Sequence, residues 1–176
     1  LFGDSLMAGY GLPKEQHLSV VLQKSLEFDG HNIEIINGSV SGSTSAGGLN
    51  IAQWTLSENN IDLMILCLGA NDMLRGINPK ETKNNLEEII EIAKNKNIKV
   101  IIAGMIAPTS YGYAYKKSFD KIFSDLSKKH KLQLIPFLLE GVAQKPEFNL
   151  SDGMHPNDRG TIIIGNTLKK AILKNL

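Results

Sequence analysis

Short clusters of Ile, Val and Leu alternate along the chain with longer stretches whose apolar residues recur every three or four positions. The first pattern is that of strands buried on both faces, and the second that of helices with one apolar side. Their alternation predicts a βα repeat: a parallel sheet with helices on both faces, a three-layer α/β/α architecture. Five strands are expected, at Leu1 to Phe2, Ile33 to Ile36, Leu63 to Leu68, Val100 to Met105 and Leu132 to Pro136. Five helices are expected with them, at Lys14 to Glu27, Ala46 to Asn59, Pro79 to Asn95, Tyr115 to His130 and Asp158 to Lys174. Leu86, Ile89, Ile90 and Ala93 make the clearest stripe, and Pro79 suits a first helical turn, where its missing donor is not needed. Trp54 is expected to pack its helix. No linker, repeat or low-complexity tract interrupts the pattern, so one domain over residues 1–176 is expected.

Composition adds exclusions. The 176 residues suffice for one substantial core, and 42% hydrophobic with 21% charged residues is the balance of a globular chain. Nineteen basic against eighteen acidic side chains leave a formal charge of +1, so no global field recruits nucleic acid or an anionic membrane. The longest apolar runs are too short for a transmembrane helix. Small-molecule partners remain, and nothing fixes the oligomeric state. Cys67 has no partner for a disulfide and sits in an apolar run, the setting of a buried, inert thiol. Four scattered histidines show no zinc-ligand spacing, and His17, His31 and His130 read as surface or packing residues, so no metal or cofactor is expected. The chain opens without Met two residues before a glycine, so an upstream segment is expected, in keeping with a removed secretory signal and a periplasmic or secreted protein. An unpaired cysteine is equally compatible with the cytoplasm.

Four blocks carry candidate chemistry. Gly3-Asp4-Ser5-Leu6 follows the first strand, where a tight turn exposes a serine oxygen to a base and a substrate. The plain alternative is a serine that caps a helical turn. Asn37 to Ser45 is a small-residue loop in which Gly42 can bring its N–H to a developing oxyanion. It has neither the spacing of a Walker lysine nor G-x-G-x-x-G, which discounts a phosphate cradle. Leu68-Gly69-Ala70-Asn71-Asp72 ends the central strand and offers the Asn71 amide as a donor, unless it is only a strand-ending turn. Asp152-Gly153-Met154-His155-Pro156-Asn157 spaces a carboxylate three residues before an imidazole, so that Asp152 can orient His155 as a general base. Alone, that pair is as readily a solvated loop.

Together and in this order the blocks resemble the SGNH, or GDSL, hydrolase family, matching its serine, glycine, asparagine and histidine at Ser5, Gly42, Asn71 and His155. The resemblance covers essentially the whole chain and is closest to the small bacterial arylesterase and acyl-CoA thioesterase/lysophospholipase branch. It implies a flavodoxin-like fold, a Ser5 nucleophile, His155 as base and then acid, and Asp152 orienting it. It also implies an oxyanion hole from the Ser5 and Gly42 N–H groups with the Asn71 amide, and no cofactor. Ala70 departs from the second glycine of many thioesterase-type members, which tilts the expectation toward simple esters. The implied reaction is hydrolysis of acyl or aryl esters, with thioesters and lysophospholipids as further substrates.

An acyl pocket is expected from apolar residues of loops at the strands' carboxyl ends: Leu74, Ile77, Ile106, Pro108 and Tyr111, with Gly76 as a hinge for Met73 to Asn78. Two other functions stay open at this point. One is a carbohydrate O-acetyl esterase on the same scaffold, and the other a non-catalytic α/β binding module.

Overall fold

The computed structural model describes residues 1–57 and 60–176. Its sheet is parallel and, among the described residues, has four strands in the order β1 (Phe2–Gly3), β2 (Leu63–Cys67), β3 (Lys99–Ala103) and β4 (Gln133–Ile135). Phe2 pairs with Leu66, Ile65 with Ile101, and Ile102 with Leu134. The helices are α1 (Ser5–Ala8), α2 (Leu18–Phe28), α3 (Ser45–Thr55), α4 (Ala70–Leu74), α5 (Pro79–Asn95), α6 (Tyr113–His130) and α7 (Asp158–Leu173). Helix α2 packs against α7, and α5 packs against both α3 and α6. Residues of both groups, such as Leu22 and Leu168 in the first and Leu86 and Phe119 in the second, are fully buried in one core with Leu66 and Ile102 of the sheet. At roughly 25 cal/mol for each Å² of apolar surface removed from water, that core dominates stability.

Helix α5 has the expected bounds because its signals agree: the Asn78 side chain caps Lys80 N, Pro79 takes the first turn, and Leu86, Ile89, Ile90 and Ala93 are all buried. Other boundaries differ. The helix expected from Lys14 is split: Lys14–Gln16 forms a 3₁₀ turn, His17 is extended at ψ 144°, and α2 starts at Leu18. The His17 ring folds back onto the Leu12 carbonyl at 3.0 Å and replaces the helical path. Helix α3 ends at Thr55, and the last two positions of the helix expected there, 58 and 59, lie outside the described residues. Trp54 does not pack its helix; it is 79% exposed, while Ala52 and Gly48 form the buried side.

The expected strand at Ile33 to Ile36 is the main correction. The backbone of Ile33 and Ile35 is bonded by the Gln23 side chain, whose Nε2 donates to Ile33 O and whose Oε1 accepts from Ile35 N, both at 2.7 Å. From Ile36 onward the segment runs beside β1: Leu1 N donates to Ile36 O, Gly38 N to Leu1 O and Val40 N to Gly3 O. The segment therefore takes the edge position next to β1, which gives the flavodoxin-like 2-1-3-4-5 succession without a regular fifth strand. In such sheets the crevice opens beyond the carboxyl ends of the two strands where the winding reverses, here β1 and β2. Ser5 follows β1, and Asn71 follows β2.

Candidate active site

Ser5 is the first residue of α1, two positions after the end of β1, and Asp4 between them caps that helix by accepting from Leu6 N at 3.1 Å. Gly3 is required there by space: a Cβ would lie 2.6 Å from the Cys67 carbonyl and 2.7 Å from Met7 Cγ. First-turn helical N–H groups lack intrahelical acceptors. Among the described residues neither the Ser5 nor the Gly42 amide donates to another group. Gly42 sits at φ +79° in a turn closed by Ser43 N donating to Val40 O, and its own carbonyl accepts from the Arg75 guanidinium at 3.1 Å. A left-handed φ of this kind suits glycine.

The Asp152–His155 loop reaches Ser5 across 150 positions of sequence. Ser5 Oγ lies 2.9 Å from His155 Nε2, and Asp152 Oδ2 lies 2.6 Å from His155 Nδ1. A carboxylate only accepts, so Nδ1 carries the hydrogen and, in the neutral imidazole, Nε2 accepts from the serine hydroxyl. Asp152 Oδ1 also accepts from the backbone N–H of Met154 and of His155, at 2.9 and 3.0 Å. Partial burial raises the Asp152 pKa, but these donated bonds outweigh it and hold the carboxyl down at about 2. The Tyr10 ring covers the imidazole, with centroids 4.4 Å apart.

Asn71 lies in the first turn of α4, after Gly69 at φ +112°, and its Nδ2 donates to Asp4 Oδ2 at 3.3 Å. Its neighbour Asp72 is fully buried and binds the start of α3: Oδ2 accepts from Ser45 N at 2.7 Å, and Oδ1 from Ser45 Oγ and Thr82 Oγ1 at 2.5 and 3.1 Å. Asn85 Nδ2 donates onward to Ser45 Oγ at 3.0 Å. This network, absent from the sequence reading, ties the Gly42 loop to the Asn71 turn. Its one sequence signal was the acidic residue that directly follows Asn71.

Of the expected acyl-pocket residues the structure brings three together. Tyr111 Oη donates to Leu74 O at 2.8 Å, its ring lies beside Gly76, and Tyr115 Oη donates to Ile77 O at 2.9 Å. Leu74 and Tyr111 are about half exposed, while Ile106 and Pro108 stand exposed on the loop after β3. A hollow of about 710 Å³ opens elsewhere, at the amino ends of the strands between Ile33, Ile35, Leu63 and Ile65, away from Ser5. Cys67 is buried as expected, and burial pushes its thiol pKa well up. Glu87, Glu91 and His130 are the one metal-compatible group among the described residues, but Glu87 Oε1 is already taken by Lys129 and His130, each at 2.6 Å. No described helix is long and apolar enough to cross a membrane.

The profile of the GDSL-like Lipase/Acylhydrolase family matches residues 1–161. The chain is 36% identical over its full length to an arylesterase of Vibrio mimicus, of which it covers 88%. It is 30% identical over 98% of its length to thioesterase 1/protease 1/lysophospholipase L1 of Escherichia coli K12, of which it covers 81%. The solved psychrotrophic esterase EstA of a Pseudoalteromonas species superposes with a TM-score of 0.93 at 30% identity, over 98% of this chain and 94% of that one. Matches of this extent turn the resemblance of four short blocks into membership: the chain belongs to the GDSL-like lipase/acylhydrolase family and is a GDSL-type ester hydrolase.

Proposed function

We propose that this hydrolase cleaves acyl and aryl carboxylic esters, and thioesters or lysophospholipids more slowly, through an acyl-enzyme on Ser5. The observation that carries the reading is the continuous bonded path Ser5 Oγ to His155 to Asp152, at 2.9 and 2.6 Å. A serine hydroxyl is a poor nucleophile until a base takes its proton, and His155 is within reach to do so. Ser5 Oγ attacks the carbonyl carbon as its proton passes to Nε2, and Asp152 stabilises the imidazolium. The oxyanion meets the free Ser5 and Gly42 N–H groups and the Asn71 amide, each such donor being worth roughly 10²–10³ in rate. The imidazolium then protonates the leaving alkoxide. Water then gives a proton to Nε2 as it attacks the acyl-enzyme, and the imidazolium returns that proton to Ser5 Oγ as the acid leaves.

Leu74, Ile77 and Tyr111, together with the exposed Ile106 and Pro108 of the loop after β3, form the acyl side of the site in this reading. The name lysophospholipase, printed for one relative, supports acyl chains longer than acetyl, and the name arylesterase supports aryl esters. Hydrolysis of p-nitrophenyl esters from acetate to long chains, run on the wild type and Ser5→Ala together, tests the assignment. Turnover that falls by at least ~10³-fold in Ser5→Ala is expected, with a medium-chain optimum that Leu74→Asp shifts to shorter esters. Unchanged turnover in Ser5→Ala removes the nucleophile; a preference for acetate alone favours the carbohydrate deacetylase.

A further inference from the structure

We propose that Asp4 is a positioning residue that sets which way round the Asn71 amide stands, so that an N–H is presented to the oxyanion only while Asp4 is a carboxylate. The inference rests on the reading of Asn71 as an oxyanion donor.

Asp4 is fully buried between the end of β1 and the start of α1. One carboxylate oxygen is committed to Leu6 N at 3.1 Å, and the other stands 3.3 Å from Asn71 Nδ2. An ionised carboxylate has no hydrogen to give, so only the nitrogen end of the amide can face it. One hydrogen of Nδ2 is then held by Asp4, and the second remains for the substrate oxygen. A protonated Asp4 is different chemistry. It gains an O–H donor for which the amide oxygen is the better partner, and the amide gains by turning over. That rotation puts the Oδ1 lone pairs where the oxyanion has to form, turning an attraction into a repulsion.

The surroundings place this proton within reach of ordinary pH. Burial raises the Asp4 pKa to about 6, against the opposing bonds from Leu6 N and Asn71 and the attraction of His155. Asp72, on α4, adds repulsion of the same sign as burial, and the Cys67 thiol of β2 is a neutral neighbour at neutral pH. Protonation of Asp4 therefore adds to the acid limb of the rate profile one proton whose effect runs through Asn71.

The test is a double-mutant cycle in kcat for p-nitrophenyl butyrate, with Asp4→Asn, Asn71→Ala and the pair. Asparagine caps a helix about as well as aspartate, so the Leu6 N bond and the fold are retained. With its oxygen on Leu6 N, the introduced asparagine offers an amide hydrogen to Asn71 and holds it in the wrong orientation at every pH. Expected at pH 8 are a loss of roughly 10²–10³ in Asn71→Ala, a loss at least as large in Asp4→Asn, and in the pair a loss within about 3-fold of that in Asn71→Ala. A second measurement does not need the Asp4 variant: the acid limb of log kcat/KM is steeper in the wild type than in Asn71→Ala, by the one proton that acts through Asn71. Losses that multiply in the pair, or equal slopes in the two enzymes, overturn the role of Asp4 alone. A fully active Asn71→Ala overturns the oxyanion reading and the role of Asp4 with it.

Discussion

The loop that carries Asp152 and His155 and the pair of carboxylates at Asp4 and Asp72 serve the same site from opposite environments. Asp152 keeps 35% of its side chain in solvent and bonds only within its own turn, to residues two and three positions on. Asp4 and Asp72 are fully buried and bond mainly across the fold, Asp4 to Asn71 and Asp72 to Ser45 and Thr82. A local, exposed turn can be altered without touching the core, so its residues report on chemistry. A buried carboxylate shared by several elements cannot, because removing it leaves donors unpaired in a medium that does not solvate them.

The largest expected effect comes from the exposed side. Asp152→Asn keeps the shape of the turn but loses the acceptor that fixes the His155 tautomer, and kcat should fall by about 10³–10⁴, some 4–5 kcal/mol in the barrier. Urea unfolding of the same variant should move by only about 1 kcal/mol or less. A stability loss as large as the activity loss would erase the distinction between the two regions.

Asp72→Ala is the matching cut on the buried side. It strips the acceptor from Ser45 N, Ser45 Oγ and Thr82 Oγ1 together, and the expected destabilisation is about 3 kcal/mol, read as a lower urea midpoint. The remaining folded enzyme should also lose about 10-fold in kcat, since α3 then no longer holds the Gly42 loop against the Asn71 turn. Full stability would mean that the three donors find other acceptors.

The same contrast explains what could be read before the fold was known. The Asp152-x-x-His155 pairing and the helix from Pro79 to Asn95 are legible because their determinants lie within a turn of each other: a carboxylate reaching two amides, or a cap, a proline and a stripe. The Asp72 network spans 27 positions to Ser45 and 10 to Thr82, and no local pattern announces it. The strand expected at Ile33 to Ile36 failed for a similar reason, since its apolar alternation is real but its backbone is claimed by Gln23 from α2. Trp54 shows the reverse error, a large aromatic assigned to packing by its type when its place on α3 faces solvent. The four blocks gave the site because each supplies its group at a strand end or turn, where parallel sheets collect them.

The pH dependence of stability sharpens the comparison, with Asp4 giving the larger effect. Its pKa is raised by burial from 3.8 to about 6, so the folded state holds the proton more tightly than the unfolded one. Stability from this group is therefore gained as pH falls from about 6 toward 4. Asp4→Asn removes that dependence. The variant should be better placed relative to wild type at pH 8 than at pH 4, by about 2–3 kcal/mol in urea unfolding, and a flat difference curve would mean that Asp4 is solvated after all.

Asp152 should give the opposite sign and the smallest effect. Its pKa is lowered to about 2, against 3.8 in the unfolded chain, so its contribution is complete above pH 4 and disappears as pH falls through 2. The nominal shift corresponds to roughly 2 kcal/mol, but a carboxylate one-third in solvent is screened, and about 1 kcal/mol or less is expected. The difference curve between wild type and Asp152→Asn should thus fall between pH 4 and 2 and be level above it, where that for Asp4→Asn changes between 6 and 4. Two curves that move in one pH window with one sign would show that exposure does not separate these carboxylates. Windows that stay apart, with opposite signs, tie each aspartate's titration to the solvent it keeps or loses, and leave the exposed one free to serve the imidazole without burdening the fold.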